Sequence, residues 1–150
     1  MEKYEFTGET KQIGAVKLHR IRALKDFGFV AAGDLGGWIE GAENLSHDGG
    51  CWVSGDAWVS GDARVSGDAQ VSGDAQVSGN VFWISGIGSR HGTTTFFRCK
   101  DGEIRVTCGC FYGDLDEFLA KVEDAHGDNK HGRVYKKAVE LAKIQMEEDV

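Results

Sequence analysis

The sequence contains no proline, although 22 of its 150 residues are glycine. Irregular loops usually draw on both residues, because proline fixes φ and glycine permits positive φ. A chain that uses glycine alone is expected to turn through tight corners that require a positive φ. The composition therefore indicates a fold with many short, regular turns.

Long apolar runs and cysteines are also scarce. No run of about 18 apolar residues is present, so no membrane-spanning helix is expected. The residues after Met1 are charged and polar, unlike those of a signal peptide. Cys51, Cys99, Cys108 and Cys110 do not form the dense framework of a small secreted fold. These features predict a cytoplasmic protein.

Positive charge is in deficit, because 17 Lys and Arg stand against 24 Asp and Glu, which gives a net charge of -7. Such a protein is repelled by nucleic acids and anionic membranes, so neither is an expected partner. The negative charge does not exclude a partner protein with a basic surface. The hydrophobic fraction of 41% is enough for a packed core and argues against a disordered chain.

The stretch CWVSGDAWVSGDARVSGDAQVSGDAQVSGN, residues 51–80, repeats nearly the same six residues five times. Side chains alternate along a strand, so each Ala-x-Val segment points two residues inward and one outward. The Ser-Gly-Asp that follows is typical of turns. The inward positions are Val53, Val59, Val65, Val71 and Val77, with Ala57, Ala63, Ala69 and Ala75 two residues before the later valines.

A corner after every two inward residues is typical of a parallel β-helix. The pattern resembles the left-handed hexapeptide-repeat β-helix, in which three units complete one triangular turn. Ile39 and Leu45 extend the pattern at one end, and Val81 and Trp83 extend it at the other. The sequence thus predicts a mainly β fold, a short left-handed parallel β-helix of about three turns with an α+β cap.

Three segments are predicted along the chain. Residues 1–38 form an N-terminal β cap segment, residues 39–84 the hexapeptide-repeat β-helix, and residues 85–150 an α+β C-terminal domain of strands and two helices. Asp114 and Glu117 have the spacing of a capping box at the start of the first helix, which Gly127 ends. The second helix is predicted from about Arg133 to Met146.

The segments GDLGGWIEGAENLS, WISGIGSRHGTTTFF, CGCFYG and HGDN, together with the repeat, resemble a family of uncharacterised bacteriophage and prophage proteins. The resemblance covers essentially the whole chain. It implies a viral origin and a location in the cytoplasm of a bacterial host, and it carries no established activity. Many small phage proteins act against host defence, so counter-defence is a hypothesis from context.

The richest polar stretch is GIGSRHGTTTFFR, residues 86–98. Its glycines let a backbone approach a ligand, its hydroxyls donate hydrogen bonds, and its arginines suit phosphate or carboxylate. Aromatic residues nearby can stack a base, although no P-loop is present. The plain alternative is a turn followed by a threonine-rich strand. The predicted ligand-binding residues are Ser89, Arg90, His91, Thr93, Thr94, Thr95, Arg98, Phe111, Tyr112, His126 and Asn129.

Catalytic and metal sites are not predicted, and no cofactor is expected. The resemblance to hexapeptide β-helices raises the alternative of an acyltransferase, since such folds are best known from these enzymes, but the perfect repeats here lack their histidine base. His47 is the remaining candidate base, or else an exposed loop histidine. The repeat aspartates are assigned to turn hydrogen bonds rather than to calcium. Cys99 and the Cys108-Gly-Cys110 pair do not have the usual zinc spacing and are assigned to the interior.

The function predicted from sequence is that of a non-enzymatic, phage-encoded binding protein that sequesters a nucleotide-like or phosphorylated immune signal. The alternatives are an inhibitor that binds a host defence protein through acidic or aromatic surface, and a structural virion or assembly protein. Trp52 and Trp58 are predicted to point outward and to form the interface of a homo-oligomer, because exposed indoles favour a partner. The resemblance to other hexapeptide β-helices implies that this homo-oligomer is a homotrimer. The alternative is that another part of the same chain covers the two indoles.

Overall fold

The computed structural model describes residues 2–79, 81–109 and 111–147. The chain divides into two compact units, Met1–Gly79 and Asn80–Val150. The first unit contains strands β1 to β7 and a short 3-10 turn at Ala42–Asn44, and the second contains strands β8 to β11 and helices α1 and α2. Each unit has its own sheets and its own buried residues.

The first unit begins with a long antiparallel hairpin. Strands β1 (Tyr4–Ile13) and β2 (Val16–Ala23) pair with each other, and β2 also pairs antiparallel with β3 (Leu35–Ile39). On β2 the fully buried Leu18 and Ile21 form the inner face. The hairpin therefore supplies a half-buried sheet before the repeat begins.

The strands of the repeat are only two residues long: β4 (Trp52–Val53), β5 (Trp58–Val59), β6 (Gln70–Val71) and β7 (Gln76–Val77). They pair in parallel with the strand three repeat units away, β4 with β6 and β5 with β7. Strand β5 also pairs in parallel with β3, so the main sheet has the order β1-β2-β3-β5-β7. The repeat thus continues a sheet that the hairpin starts.

The inward positions of the repeat are buried, as the six-residue pattern predicts. The alanines and valines from Val53 to Val77 all have relative exposures of 0–1%. The corners between them require glycine. Gly61 has φ +61°, and a Cβ at this position would approach the Ser78 carbonyl oxygen to 2.8 Å, so that both the backbone conformation and the close packing exclude a larger residue.

The predicted fold class is wrong. The sequence predicts a mainly β fold, a short left-handed parallel β-helix with an α+β cap. The protein is instead mixed α/β with 41% strand and 22% helix, and none of the sheets formed by the described residues is a solenoid. The physical reason lies in the neighbours of the repeat strands. Strands β5 and β7 join the antiparallel hairpin in one mixed sheet, and β4 and β6 form a separate two-stranded sheet.

The second unit is an antiparallel sheet of order β11-β10-β9-β8, with two helices. Its core consists of one face of the sheet and the apolar faces of the helices, represented by Phe96, Phe118 and Ala142. Its elements are β8 (Phe82–Ile87), β9 (Gly92–Arg98), β10 (Ile104–Cys108), β11 (Phe111–Asp114), α1 (Leu115–His126) and α2 (Lys130–Gln145).

The helix boundaries follow from their caps. The predicted capping box of α1 is confirmed, because the Asp114 carboxylate accepts a hydrogen bond from Glu117 N at 2.7 Å and the Glu117 carboxylate accepts one from Asp114 N at 3.0 Å. Helix α2 begins three residues earlier than predicted. The Asn129 side chain caps it by accepting a hydrogen bond from Gly132 N at 3.0 Å. Within the described residues, neither helix has the length and apolarity needed to cross a membrane.

Substitution of Val65 by Asp tests the packing of the repeat. Val65 is fully buried, whereas the adjacent Arg64 is exposed. Because an unpaired buried charge costs roughly 3–5 kcal/mol, we expect Val65→Asp to lose most of its cooperative thermal transition by circular dichroism. The control Arg64→Asp should melt close to the wild type. Equal melting of the two variants would contradict the buried placement of Val65.

Candidate functional site

The turn between β8 and β9 carries three of the predicted ligand residues. Ser89, Arg90 and His91 are all exposed there. The turn lies against α2, because Gly88, with φ +83°, leaves no room for a side chain beside the hydroxyl of Tyr135. The structure therefore places an exposed basic turn next to a tyrosine that the sequence analysis did not select.

The three predicted threonines do not act together. Thr93 is half-buried, and its hydroxyl lies 2.8 Å from that of Ser85 on the neighbouring strand. Thr94 is fully buried and donates a hydrogen bond to Cys108 Sγ at 3.4 Å. Thr95 is also fully buried. Thr94 and Thr95 therefore present no hydroxyl to a ligand from solvent.

Arg98 and Asn129 already have structural partners. The Arg98 guanidinium donates to the carbonyl oxygens of Gly102 and Met146, both at 2.7 Å. The Asn129 side chain caps α2. Arg98 also lines a cavity of about 360 Å³ of mixed charge. Because antiparallel turns alternate between the two ends of a sheet, this cavity and the turn at residues 88–91 lie at opposite ends.

The two aromatic residues predicted to stack a base lie on different faces of β11. The Phe111 ring packs against Phe118 with ring centroids 5.4 Å apart, on the side of the helices. Tyr112, its neighbour in sequence, is 43% exposed and lies 6.4 Å from Phe97, measured between ring centroids. Because adjacent residues of a strand point to opposite faces, these rings cannot hold the same base.

The groups that the structure does bring together surround Tyr135, and we call them the Tyr135 cluster. The ring of Tyr135 stacks on the predicted residue His126, with centroids 5.8 Å apart, and His126 lies 5.5 Å from the ring of His131. Cys108 Sγ lies 3.8 Å from the Tyr135 hydroxyl oxygen. Gly88, Cys108, His126, His131 and Tyr135 form the cluster.

Burial raises the pKa of Tyr135 to about 12, and the neighbouring Cys108 adds to this effect. The hydroxyl therefore stays protonated near neutral pH. Because Cys108 donates its thiol hydrogen to the tyrosine oxygen, the tyrosine proton is available for a second hydrogen bond. Besides the predicted His126, a signal of this cluster in the sequence is the spacing of His131 and Tyr135, which places them one helical turn apart.

In the first unit, Trp52 is not the exposed interface residue predicted from sequence. It is 3% exposed, and it packs edge to face against Phe27 at 5.3 Å and near Tyr4 at 6.4 Å, between ring centroids. Trp58 is half-buried, with Lys11 Nζ 5.3 Å from its ring centroid. The same chain thus covers much of both indoles. The homotrimer stays a prediction, but Trp52 no longer supports it.

His47 and the repeat aspartate Asp68 have structural partners. His47 Nδ1 accepts a hydrogen bond from Lys3 N at 3.1 Å, and its ring stacks on Tyr4 at 4.1 Å between centroids. Asp68 accepts from Gly50 N at 3.1 Å, in a neighbouring corner rather than in its own turn. Within the described residues, no cluster of three or more His, Cys, Asp and Glu could hold a metal ion. Cys110 lies outside those residues.

Lys3 is a buried charged residue that the sequence analysis missed. Its side chain is fully buried, and Nζ donates to the Cys51 carbonyl oxygen at 2.8 Å and the Gly49 carbonyl oxygen at 3.3 Å. Nζ also lies 3.3 Å from Cys51 Sγ. Burial raises the pKa of the Cys51 thiol, although Lys3 opposes this effect. The thiol is therefore protonated and unreactive at neutral pH.

Comparison of the chain with protein-family models and with curated proteins finds no match. The resemblance to bacteriophage proteins stays a prediction from the quoted sequence segments.

The raised pKa of Tyr135 predicts a loss of stability in alkali. Unfolded tyrosine releases its proton near pH 10, whereas folded Tyr135 holds it to about pH 12. The unfolded state therefore binds fewer protons in this interval, and the free energy of unfolding falls as pH rises from 10 to 12. Urea denaturation should show a smaller fall in Tyr135→Phe than in the wild type.

The control is the comparison of the wild type with Tyr135→Phe below pH 10. Tyr135 is protonated there in both the folded and the unfolded state, so the difference in free energy of unfolding between the two proteins should not vary with pH. Identical slopes of stability against pH above pH 10 would show that Tyr135 is not desolvated as described.

Proposed function

We propose that the protein is a non-enzymatic binding protein, whose second unit captures a small anionic molecule of the phosphorylated or nucleotide-like class. The proposed site is the Tyr135 cluster together with the exposed turn at residues 88–91. The observation that carries the proposal is the contact of Gly88 with Tyr135, which joins the basic turn to the cluster.

The chemistry of the site suits an anion. Arg90 is exposed and, among the described residues, forms no ion pair. Its planar guanidinium can hold two phosphate oxygens at once. The Tyr135 hydroxyl and the imidazoles of His91 and His126 add neutral or charged hydrogen-bond donors. Together they form a small group of donors in a protein of net negative charge.

The hydrogen bonds within the Tyr135 cluster favour binding of a ligand without a chemical reaction. The Cys108 thiol lies between the hydroxyls of Thr94 and Tyr135. Neither hydroxyl is a base that takes a proton from the thiol at neutral pH, and an adjacent base is what commonly activates a nucleophilic cysteine. The cluster thus offers donors to a ligand rather than an activated nucleophile.

The setting that we propose is the cytoplasm of a bacterial host, in which a phage-encoded protein sequesters a nucleotide-type immune signal. The support is the sequence resemblance to phage proteins, together with a site that offers binding groups. A protein-binding role is favoured by a different surface, the groove beside α2 that is described below.

Arg90→Ala tests the proposed site. We expect the wild type to bind at least one of three probes, inorganic phosphate, AMP or cyclic di-AMP, in isothermal titration calorimetry. Loss of a charge-assisted hydrogen bond should weaken that binding by roughly 10- to 100-fold, and the melting temperature should not change because Arg90 is exposed.

Lys100→Ala is the matched control. Lys100 is also exposed and loses the same charge, but it lies in the turn after β9, at the opposite end of the sheet. It should retain wild-type affinity. The proposal is wrong if no probe binds the wild type at about millimolar concentration, or if Arg90→Ala and Lys100→Ala bind equally well.

A further inference from the structure

A groove runs between strand β8 and helix α2 in the second unit, with a volume of about 420 Å³. Its floor is apolar and its rim is basic. The apolar residues are Ile84 and Ile87 of β8 and Val134, Ala138 and Leu141 of α2, and the rim consists of Lys130, Arg133 and Lys137.

The basic rim is unusual in a chain with a net charge of -7. Its three cations follow one another along α2 at spacings of three and four residues, which places them in one row. Among the described residues Lys130 and Arg133 form no ion pair. Lys137 pairs at 3.3 Å with Glu140, but both side chains are mostly exposed, so this pair contributes little. The row is therefore available to an acidic partner.

The apolar strip continues beyond the groove along the same helix. Leu141 is 48% exposed, and Ile144, three residues further along α2, is 66% exposed. From Val134 to Ile144 this strip spans about 15 Å of α2, or nearly three turns. An apolar strip of this length beside a row of charges matches several turns of an amphipathic helix, which binds through residues spaced three and four apart.

A second copy of this chain and a membrane fit the groove less well. A symmetric dimer would set the same patch of each copy against the other, so the three cations of one copy would face those of its partner. An anionic membrane extends well beyond the basic rim, so it would also meet the acidic surface of a chain with a net charge of -7, whereas a single helix contacts the groove alone. Moreover, the apolar residues line a concave groove, whereas insertion into lipid needs apolar side chains that project.

We propose that the groove between β8 and α2 binds an amphipathic helix of a partner protein, with leucine-like residues on the floor and acidic residues against Lys130, Arg133 and Lys137. Apolar burial supplies the affinity, and the row of cations selects acidic helices over basic ones. This site is distinct from the Tyr135 cluster and takes a different class of ligand.

The test uses a defined probe, a fluorescein-labelled peptide of about 18 residues. It is built from Leu, Ala and Glu so that the leucines form one helical face with glutamates beside them. The control peptide has lysine in place of each glutamate. Fluorescence anisotropy should show binding of the acidic peptide to the full chain, and at least 10-fold weaker binding of the basic peptide.

Two variants of groove residues localise the binding. Arg133→Glu should weaken binding of the acidic peptide at least 10-fold, and Leu141→Asp should also weaken it. Lys121→Glu, the same charge reversal at an exposed position of α1, should bind as the wild type does. Arg90→Ala should also retain peptide binding. A failure of the proposed anion site at the Tyr135 cluster can therefore be distinguished from a failure of the proposed peptide site in the groove. Circular dichroism confirms that each variant is folded.

Three outcomes overturn the proposal. The first is that the acidic peptide does not bind the wild type at about 100 µM. The second is that Arg133→Glu and Lys121→Glu bind the peptide equally well. The third is that vesicles of phosphatidylglycerol bind the wild type while the acidic peptide does not, which would assign the groove to a membrane surface.

Discussion

Parallel hydrogen bonds between units of the repeat hold the first half of the protein together. Strands of two residues make too few hydrogen bonds to persist alone, so each depends on its neighbours. Ser54 N donates to Val71 O at 2.9 Å and Ser60 N to Val77 O at 2.8 Å. On the other side of β5, Trp38 N of β3 donates to Ala57 O at 3.0 Å. Because β3 also pairs with β2, the hairpin is joined to the repeat through β3 and stabilises it.

The N-terminal strand is fixed to the segment before the repeat by buried polar groups. A buried ammonium is costly unless hydrogen bonds replace its water, and for Lys3 the carbonyl oxygens of Gly49 and Cys51 do so. The next residue, Tyr4, donates its hydroxyl hydrogen to Leu45 O at 2.6 Å. These contacts place the start of β1 over residues 45–51, where Tyr4 covers Trp52.

Local features of this fold could be predicted from sequence, and its long-range pairings could not. The alternation of side chains predicted the buried valines of the repeat, and the spacing of Asp114 and Glu117 predicted the helix cap. Both features depend on residues that are close in sequence. The prediction of the fold class was wrong because the six-residue pattern does not show that the hairpin of residues 4–23 belongs to the same sheet as strands β5 and β7. The burial of Trp52 was not predicted for the same reason, because Phe27 and Tyr4, which cover its ring, are distant from it in sequence.

The candidate site was predicted only in part, again for a physical reason. Composition identified the exposed turn with Arg90, but it does not show that β9 is covered on both faces, so Thr94 and Thr95 were included although both are fully buried. Both proposed sites use α2, so a movement of the helix caused by a ligand at one site would change the affinity at the other. The cap at Asn129 and the bond from Arg98 to Met146 O fix the two ends of α2. We therefore expect the cluster and the groove to bind independently.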